Sequence, residues 1–149
     1  MVRLATEDDA GDVARLMIGF RNWWGRADPD DAAFAVGVRR VLADPNAEYL
    51  LAGDPAMGVC QLRYRYCVWT ESDDCWLEDI FVEEAARGSG MGRALMDAAF
   101  ERARARNCAR MELDVNEANP AALSLYESLG FGAWSDPPGG RNLLMRRRL

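Results

Sequence analysis

The feature that most constrains this chain is a glycine-rich loop between a predicted strand and a predicted helix. The loop reads Arg87-Gly88-Ser89-Gly90-Met91-Gly92. An apolar run from Trp76 to Val82 precedes it, and a helical pattern from Met91 to about Asn107 follows. The first turn of a helix offers unpaired N–H groups and a positive dipole end, and glycines let the backbone approach an anion closely. The segment is therefore predicted to bind phosphate.

Two common phosphate loops do not fit this segment. The chain contains no lysine, which excludes the P-loop. A dinucleotide-binding loop has a third glycine where this chain has Arg93. The spacing Arg87-x-x-Gly90-x-Gly92 is compatible with a third class of phosphate-binding loop. The alternative is that the segment is a plain connecting loop that binds no phosphate.

Hydrophobic periodicity predicts an α/β fold with a mixed sheet. A strand from Val2 to Ala5 comes first, followed by two helices that begin after Thr6 and at Asp28-Pro29, with a loop from Arg21 to Arg26 between them. A hairpin around Gly53-Asp54-Pro55 follows. Downstream of the long helix we expect a strand from Met111 to Val115 and then a helix from Asn119 to Leu129. Two closing strands are expected last, from Phe131 to Trp134 and from Asn142 to Arg147, joined by a turn at Asp136-Pro137-Pro138-Gly139-Gly140. This order predicts one domain over residues 1–149, with helices on both faces of the sheet.

Two separated motifs resemble those of the GNAT superfamily of acyl-CoA-dependent N-acetyltransferases. The glycine loop follows that family's pattern R/Q-x-x-G-x-G/A. The strand Met111 to Val115, followed by Asn116, Asn119, Ala122 and Leu125-Tyr126-Glu127-Ser128-Leu129-Gly130-Phe131, looks like the family's second coenzyme segment. The resemblance implies the GNAT fold, an α/β arrangement around a central, mostly antiparallel, twisted sheet. It is specific from about Leu77 to Phe131.

The same resemblance implies that acetyl-CoA is the acyl donor. Backbone amides of the loop would bind its pyrophosphate, with Arg87 or Arg93 adding a charged contact. The residues implied to contact the coenzyme are Ile80, Phe81, Val82, Arg87, Gly88, Ser89, Gly90, Met91, Gly92, Arg93, Asn119, Ala122 and Tyr126. Ile80 and Val82 would line the pantetheine arm.

Transfer of an acetyl group from a thioester to an amine needs a base for the amine and an acid for the departing thiolate. By resemblance, Tyr126 occupies the family's general-acid position, and a core aromatic is the alternative. Glu78 is the candidate base because Leu77-Glu78-Asp79-Ile80-Phe81-Val82 is similar to the matching strand of diamine acetyltransferases. Alternation places Glu78 on the side of Ile80 and Val82, with Asp79 opposite. Its alternative is an ion pair with Arg63 or Arg65.

Composition excludes several other chemistries. The chain has no histidine, and its four cysteines show no C-x-x-C spacing, so neither a histidine base nor a metal site is expected. The formal net charge of −6 argues against a nucleic-acid partner. No run is long enough to cross a membrane and no leader is evident, so we expect a soluble cytoplasmic protein.

Three surface features bear on the acceptor. Glu71, Asp73 and Asp74 either attract a cation or form a solvated turn. Trp23 and Trp24 either line an acceptor pocket or cover the core or a dimer contact. Arg102, Arg104 and Arg106 are expected on a solvent face of the long helix.

The leading hypothesis is direct acetyl transfer to a primary amine of a small molecule, such as a polyamine, a diamine or an amino compound. Acetylation of a protein N-terminus or lysine is the second enzymatic alternative. A non-catalytic acyl-CoA sensor is the third. Dimers are common in the family, and the sequence leaves a homodimer open.

Overall fold

A five-stranded sheet organises the first part of the chain. In the computed structural model, which describes residues 1–134 and 139–149, the strands lie side by side in chain order. They are β1 (Val2–Leu4), β2 (Ala47–Ala52), β3 (Gly58–Cys67), β4 (Ser72–Val82) and β5 (Arg110–Leu113). All neighbours are antiparallel except β4 and β5, which are parallel. Residues Met1–Leu113 form one unit and Asp114–Leu149 another.

Helices pack against both faces of this sheet. They are α1 (Ala10–Trp23), α2 (Asp31–Leu42) and α3 (Met91–Ala105). Val59 belongs to a buried cluster with α1 and α2, whereas a side chain at the adjacent Gly58 would meet Met91 and Leu95 of α3. Because neighbouring strand residues point to opposite faces, α1 and α2 cover one face and α3 the other. The predicted mixed sheet is confirmed.

The helix boundaries between α1 and α2 differ from the prediction. The chain stays helical through Trp23, so the predicted loop from Arg21 begins too early. The second helix is capped by Asp30, whose carboxylate accepts a 2.8 Å hydrogen bond from the Ala33 amide, and not by Asp28. A carboxylate at this position pairs one of the unpaired N–H groups of the first turn.

Two of the arginines expected in solvent are instead joined to a buried carboxylate. Glu48, on β2, is 9% exposed, and its oxygens lie 2.7 Å from Nη2 of Arg102 and 3.2 Å from Nε of Arg106. Tyr64 donates a further hydrogen bond of 2.9 Å to Glu48. The prediction of a solvent face is wrong for Arg102 and Arg106, because helix periodicity does not reveal a buried partner on another element.

The predicted acidic turn is only partly a turn, because Asp73 and Asp74 lie on β4 and Glu71 precedes it. Asp74 is 2% exposed and lies on β4, where it accepts hydrogen bonds of 2.8 and 3.0 Å from Arg110 of β5. A buried carboxylate needs such a partner to offset its lost hydration. Asp74 therefore joins the two parallel strands and faces no solvent.

The second unit contains α4 (Pro120–Ser128). The predicted closing strands are wrong within the described residues, where one isolated bridge joins Trp134 to Arg141. Residues 142–149 have no regular secondary structure. Most of the predicted turn from Asp136 to Gly140 lies outside the described residues.

Candidate functional site

The glycine loop joins the end of β4 to the start of α3. A 3-10 turn at Glu84–Ala86 leads into it, and the Ser89 hydroxyl donates a 2.6 Å hydrogen bond to the Ala86 carbonyl. Gly88 and Gly90 have φ values of +75° and +85°, in the left-handed region that other residues rarely adopt. Nothing lies within 4 Å of a side chain built at either position. Backbone conformation, and not crowding, therefore requires glycine here.

The N-terminus of α3 has the properties of an anion site. Gly90 is its N-cap residue and supplies no side-chain oxygen to the free N–H groups. The first turn carries no carboxylate, and Arg87 to Gly90 are exposed. The helix dipole and the uncapped amides together favour a phosphate at this position.

Arg87 is held by the protein at the entrance of this loop. Its Nε donates a hydrogen bond of 3.0 Å to the Val82 carbonyl, and its guanidinium lies over the rings of Trp23 and Phe81. The sequence predicted a charged coenzyme contact from Arg87 or Arg93, and it held no sign of these aromatic neighbours. The contact with Trp23 joins residues far apart in the chain, which periodicity cannot detect.

Glu78 lies at an irregularity of β4. Gln61 pairs with Asp79, but the next residue of β3, Leu62, pairs with Leu77, which leaves Glu78 as an extra residue. Such a β-bulge interrupts the alternation of side chains. The expectation that Glu78 shares a face with Ile80 and Val82 is therefore wrong.

The bulge places Glu78 with the residues of the opposite face. Its Oε2 lies 3.6 Å from Nε of Arg63, and Arg63 follows Gln61 by two residues on the same face of β3. Asp79 and Phe81 are on that face as well, opposite Gln61 and Val59. Glu78 therefore lies on the face covered by α1 and α2. The ion pair with Arg63, which the sequence offered as the alternative to a catalytic role, is present.

A buried tyrosine adjoins this group of polar side chains. The Tyr49 hydroxyl donates a hydrogen bond of 3.0 Å to Oε1 of Gln61. Burial raises the pKa of Tyr49, the charges of Asp79 and Glu78 raise it further, and Arg63 opposes them. Tyr49 therefore stays protonated at neutral pH.

An aromatic surface lies at the end of α1. Trp23 and Trp24 are 45% and 44% exposed, and their rings are 5.0 Å apart. Phe20 joins them to Phe81, with 5.5 Å between its ring centroid and that of Phe81. Both tryptophans are thus packed on one side and open to solvent on the other.

The remaining predicted site residues are on α4, in the second unit. Asn119 is the N-cap residue, and its Oδ1 accepts a hydrogen bond of 3.2 Å from the Ala122 amide. Tyr126 is 5% exposed, and its ring meets that of Phe131 edge-on at 5.9 Å. Helix capping thus accounts for the oxygen of Asn119, and Tyr126 is a buried aromatic with a polar group.

Three of the four cysteines, Cys60, Cys75 and Cys108, are not in activating surroundings. Burial raises the pKa of Cys75 to about 12, and burial also raises the pKa of Cys60 and Cys108. A thiol with a raised pKa is a poor nucleophile at neutral pH. These three cysteines are therefore poor carriers for an acetyl group.

Among residues 1–134 and 139–149, no group of three or more histidine, cysteine, aspartate or glutamate side chains could hold a metal ion. In the same part of the chain, no helix is long and apolar enough to span a bilayer.

Known proteins share both the sequence pattern and the fold. The model of the acetyltransferase (GNAT) family matches residues 13–131. A thialysine N-epsilon-acetyltransferase from Bos taurus is 29% identical over 141 residues, covering 87% of this chain and 82% of that protein. A mycothiol acetyltransferase from Thermobispora bispora is 48% identical over 54 residues, which cover 36% of this chain and only 18% of that relative's own length. A crystal structure from Arthrobacter sp. FB24, described as an acetyltransferase, has a TM-score of 0.90 at 30% identity and covers 100% of this chain and 96% of that one.

Proposed function

The chain belongs to the GNAT acetyltransferase family, and from that premise we propose that it transfers an acetyl group from acetyl-CoA directly to a primary amine of a small molecule. The observation that carries the proposal is the loop at Gly88 and Gly90, where two left-handed glycines lead into the uncapped N-terminus of α3. A backbone of this kind accepts a pyrophosphate.

The residues around the loop fit acetyl-CoA as co-substrate. In this proposal the amides from Arg87 to Gly92 bind the pyrophosphate, and Arg93 adds a positive charge at the exposed start of α3. Ile80, Phe81 and Val82 line the pantetheine arm. When bound, acetyl-CoA supplies a thioester, whose carbonyl carbon accepts an amine nitrogen as the carbon–sulfur bond breaks. Asn119 and Ala122 are proposed contacts by family resemblance.

Two proton transfers accompany this exchange. We assign Glu78 the role of base, taking the proton of the acceptor amine directly or through water. Its half-exposed carboxylate, on the same sheet face as Phe81, supports this role. Tyr126 is assigned the role of acid, giving a proton to the departing sulfur. Two observations support this role of Tyr126. The segment Leu125-Tyr126-Glu127 resembles that of the family, and the buried ring carries a polar hydroxyl.

A relative that matches most of both chains supports this acceptor class. That relative is named for N-epsilon acetylation of thialysine. A small primary amine fits the chain's formal net charge of −6, because an amine is cationic before it loses its proton. The two half-exposed tryptophans offer ring faces that attract such a cation.

Titration calorimetry with acetyl-CoA and with dephospho-CoA tests the first half of this proposal. Acetyl-CoA is expected to bind with a Kd in the micromolar range, typical of enzyme substrates at about 1 μM to 1 mM. Dephospho-CoA keeps the pyrophosphate and should also bind. A wild-type protein that binds neither compound would remove the proposed function.

Other expectations from the sequence stay predictions within this proposal. They are that residues 1–149 act as one acetyltransferase domain, that the protein is cytoplasmic, and that it binds no nucleic acid. A homodimer also stays open, as do the protein-acetyltransferase and sensor alternatives. Acetylation of small amines by the purified protein would exclude the sensor.

A further inference from the structure

The side chain of Arg87 lies against aromatic rings at the end of α1. Its guanidinium carbon is 5.4 Å from the ring centroid of Trp23 and 5.8 Å from that of Phe81. The Nε atom donates a hydrogen bond of 3.0 Å to the carbonyl oxygen of Val82. Two rings and one main-chain carbonyl thus hold this cation.

The rings beneath Arg87 form a packed platform. Phe20 stacks on Phe81 at 5.5 Å and on Trp23 at 6.1 Å. A side chain at Gly19 would come within 3.2 Å of the Phe81 ring, so the absence of one lets α1 approach β4 closely. The platform is therefore fixed by α1 and β4 together.

A second contact ties α1 to the segment before the loop. Arg15 forms an ion pair with Glu83, and its Nη2 donates a hydrogen bond to the Ala56 carbonyl. Glu83 directly follows the last residue of β4, and its amide donates a 2.9 Å hydrogen bond to the Met57 carbonyl. Arg15 and Arg87 thus join α1 to opposite ends of the segment from Glu83 to Arg87.

We infer that Arg87 and Trp23 form a positioning pair that holds the glycine loop in its coenzyme-binding conformation. The inference rests on the proposed function and assigns Arg87 a role different from a simple charge beside the pyrophosphate. A loop that is already ordered loses less conformational entropy on binding, so the affinity for acetyl-CoA rises. Trp23, whose ring lies against the Arg87 guanidinium, then influences that affinity.

The test is a double-mutant cycle on acetyl-CoA affinity. Kd is measured by calorimetry for wild type, Trp23→Leu, Arg87→Gln and the double variant. Each single change is expected to weaken binding by about 2- to 30-fold, the range that a cation–π contact spans. The double variant should bind no more weakly than Arg87→Gln alone, because either change breaks the same contact.

Conservative variants separate positioning from charge and from general loss of structure. Trp23→Phe keeps a ring face and should restore most of the affinity. Arg87→Lys keeps the charge but loses the Nε hydrogen bond to Val82 and the planar group that stacks on the two rings, so it should bind acetyl-CoA more weakly than wild type. The KM for acetyl-CoA should rise in the weakened variants, while kcat at saturating acetyl-CoA changes little. Trp69→Leu, at a tryptophan 94% exposed in the β3–β4 turn, controls for loss of an indole.

Different results would exclude the positioning pair of Arg87 and Trp23 and the proposed acetyltransferase function. Wild-type affinity in Arg87→Lys, or losses that add in the double variant, would overturn the positioning role while leaving acetyl-CoA binding intact. Failure of the wild-type protein to bind acetyl-CoA would remove the proposed function and this inference with it.

Discussion

The Nε atom of Arg63 lies 3.6 Å from Oε2 of Glu78, at the point where β4 bulges. Both side chains are more than 40% exposed, at 43% and 42%. An ion pair so open to solvent contributes at most about 1 kcal/mol to stability. The contact therefore leaves the Glu78 carboxylate accessible to solvent.

Glu78→Gln is expected to lower kcat/KM for the amine by about 100-fold, within the range of general base catalysis. The loss should be greatest at low pH, where most of the amine is protonated and must give up its proton to react. The matched control is Arg63→Met, which removes the partner and keeps the carboxylate, and it should retain most of the activity. A pH–rate profile parallel to that of wild type would identify Glu78 as a structural residue.

Tyr126→Phe removes a hydroxyl and keeps the ring that packs against Phe131. If the hydroxyl protonates the leaving thiolate, kcat should fall by about 10- to 1000-fold while the Kd for acetyl-CoA stays near the wild-type value. Stopped-flow single turnovers separate this chemical step from product release. An unchanged single-turnover rate would exclude Tyr126 from proton transfer.

Gly90→Asp tests the coenzyme loop through charge and backbone together. A non-glycine residue at φ +85° is strained by about 1 kcal/mol, and the carboxylate adds repulsion toward the pyrophosphate. We expect at least about a 10-fold weaker Kd for acetyl-CoA. Gly25→Asp is the matched control, since Gly25 also has a positive φ of +68° and open space around it. Equal affinities in the two variants would contradict the proposed cradle.

Arg102→Met should destabilise the protein, whereas Arg104→Met should not. Arg102 donates two hydrogen bonds to buried Glu48, and Arg104 pairs with the exposed Glu101. We expect about 1–3 kcal/mol lost from the unfolding free energy for the first and less than about 0.5 for the second, measured in urea at neutral pH. Similar losses of unfolding free energy in the two variants would show that the buried ion pair contributes no more to stability than the exposed one.

The same carboxylate predicts how stability varies with acid. Burial raises the pKa of Glu48, but hydrogen bonds from Arg102 and Tyr64 and the charges of Arg102 and Arg106 outweigh it, so the pKa lies below its usual value of 4.5. A carboxyl with a lowered folded-state pKa stabilises fully above its usual pKa and loses that stabilisation as pH falls through the folded-state pKa. Arg102→Met should flatten the acid limb of the wild-type stability curve, and an unchanged limb would contradict this assignment.

Local sequence patterns predicted most of the first unit. The glycine loop and the start of α3 at Met91 could be placed because left-handed glycines and a strand-to-helix change are local signals. In the second unit, the predicted helix from Asn119 to Leu129 corresponds to α4, since Asn119-Pro120 and Gly130 mark its limits. The mixed sheet then followed from the order of elements.

Features that depend on distant partners could not be predicted in this way. The bulge at Glu78 arises from the register between β3 and β4, and no pattern within β4 reports it. The burial of Asp74 depends on Arg110, and the position of Arg87 depends on Trp23. Each depends on a partner residue in a different element, which the pattern within one element does not report.

Product analysis with a panel of amines tests the central claim most directly. The wild-type protein is incubated with acetyl-CoA and, separately, thialysine, a diamine, a polyamine and a peptide with a free N-terminal alanine; thiol release and acetylated products are then measured. We expect N-acetylation of at least one small primary amine, with one thiol released per product. Acetylation of the peptide alone would replace the small-molecule acceptor with a protein, and acetyl-CoA binding without any product would contradict the enzymatic claim.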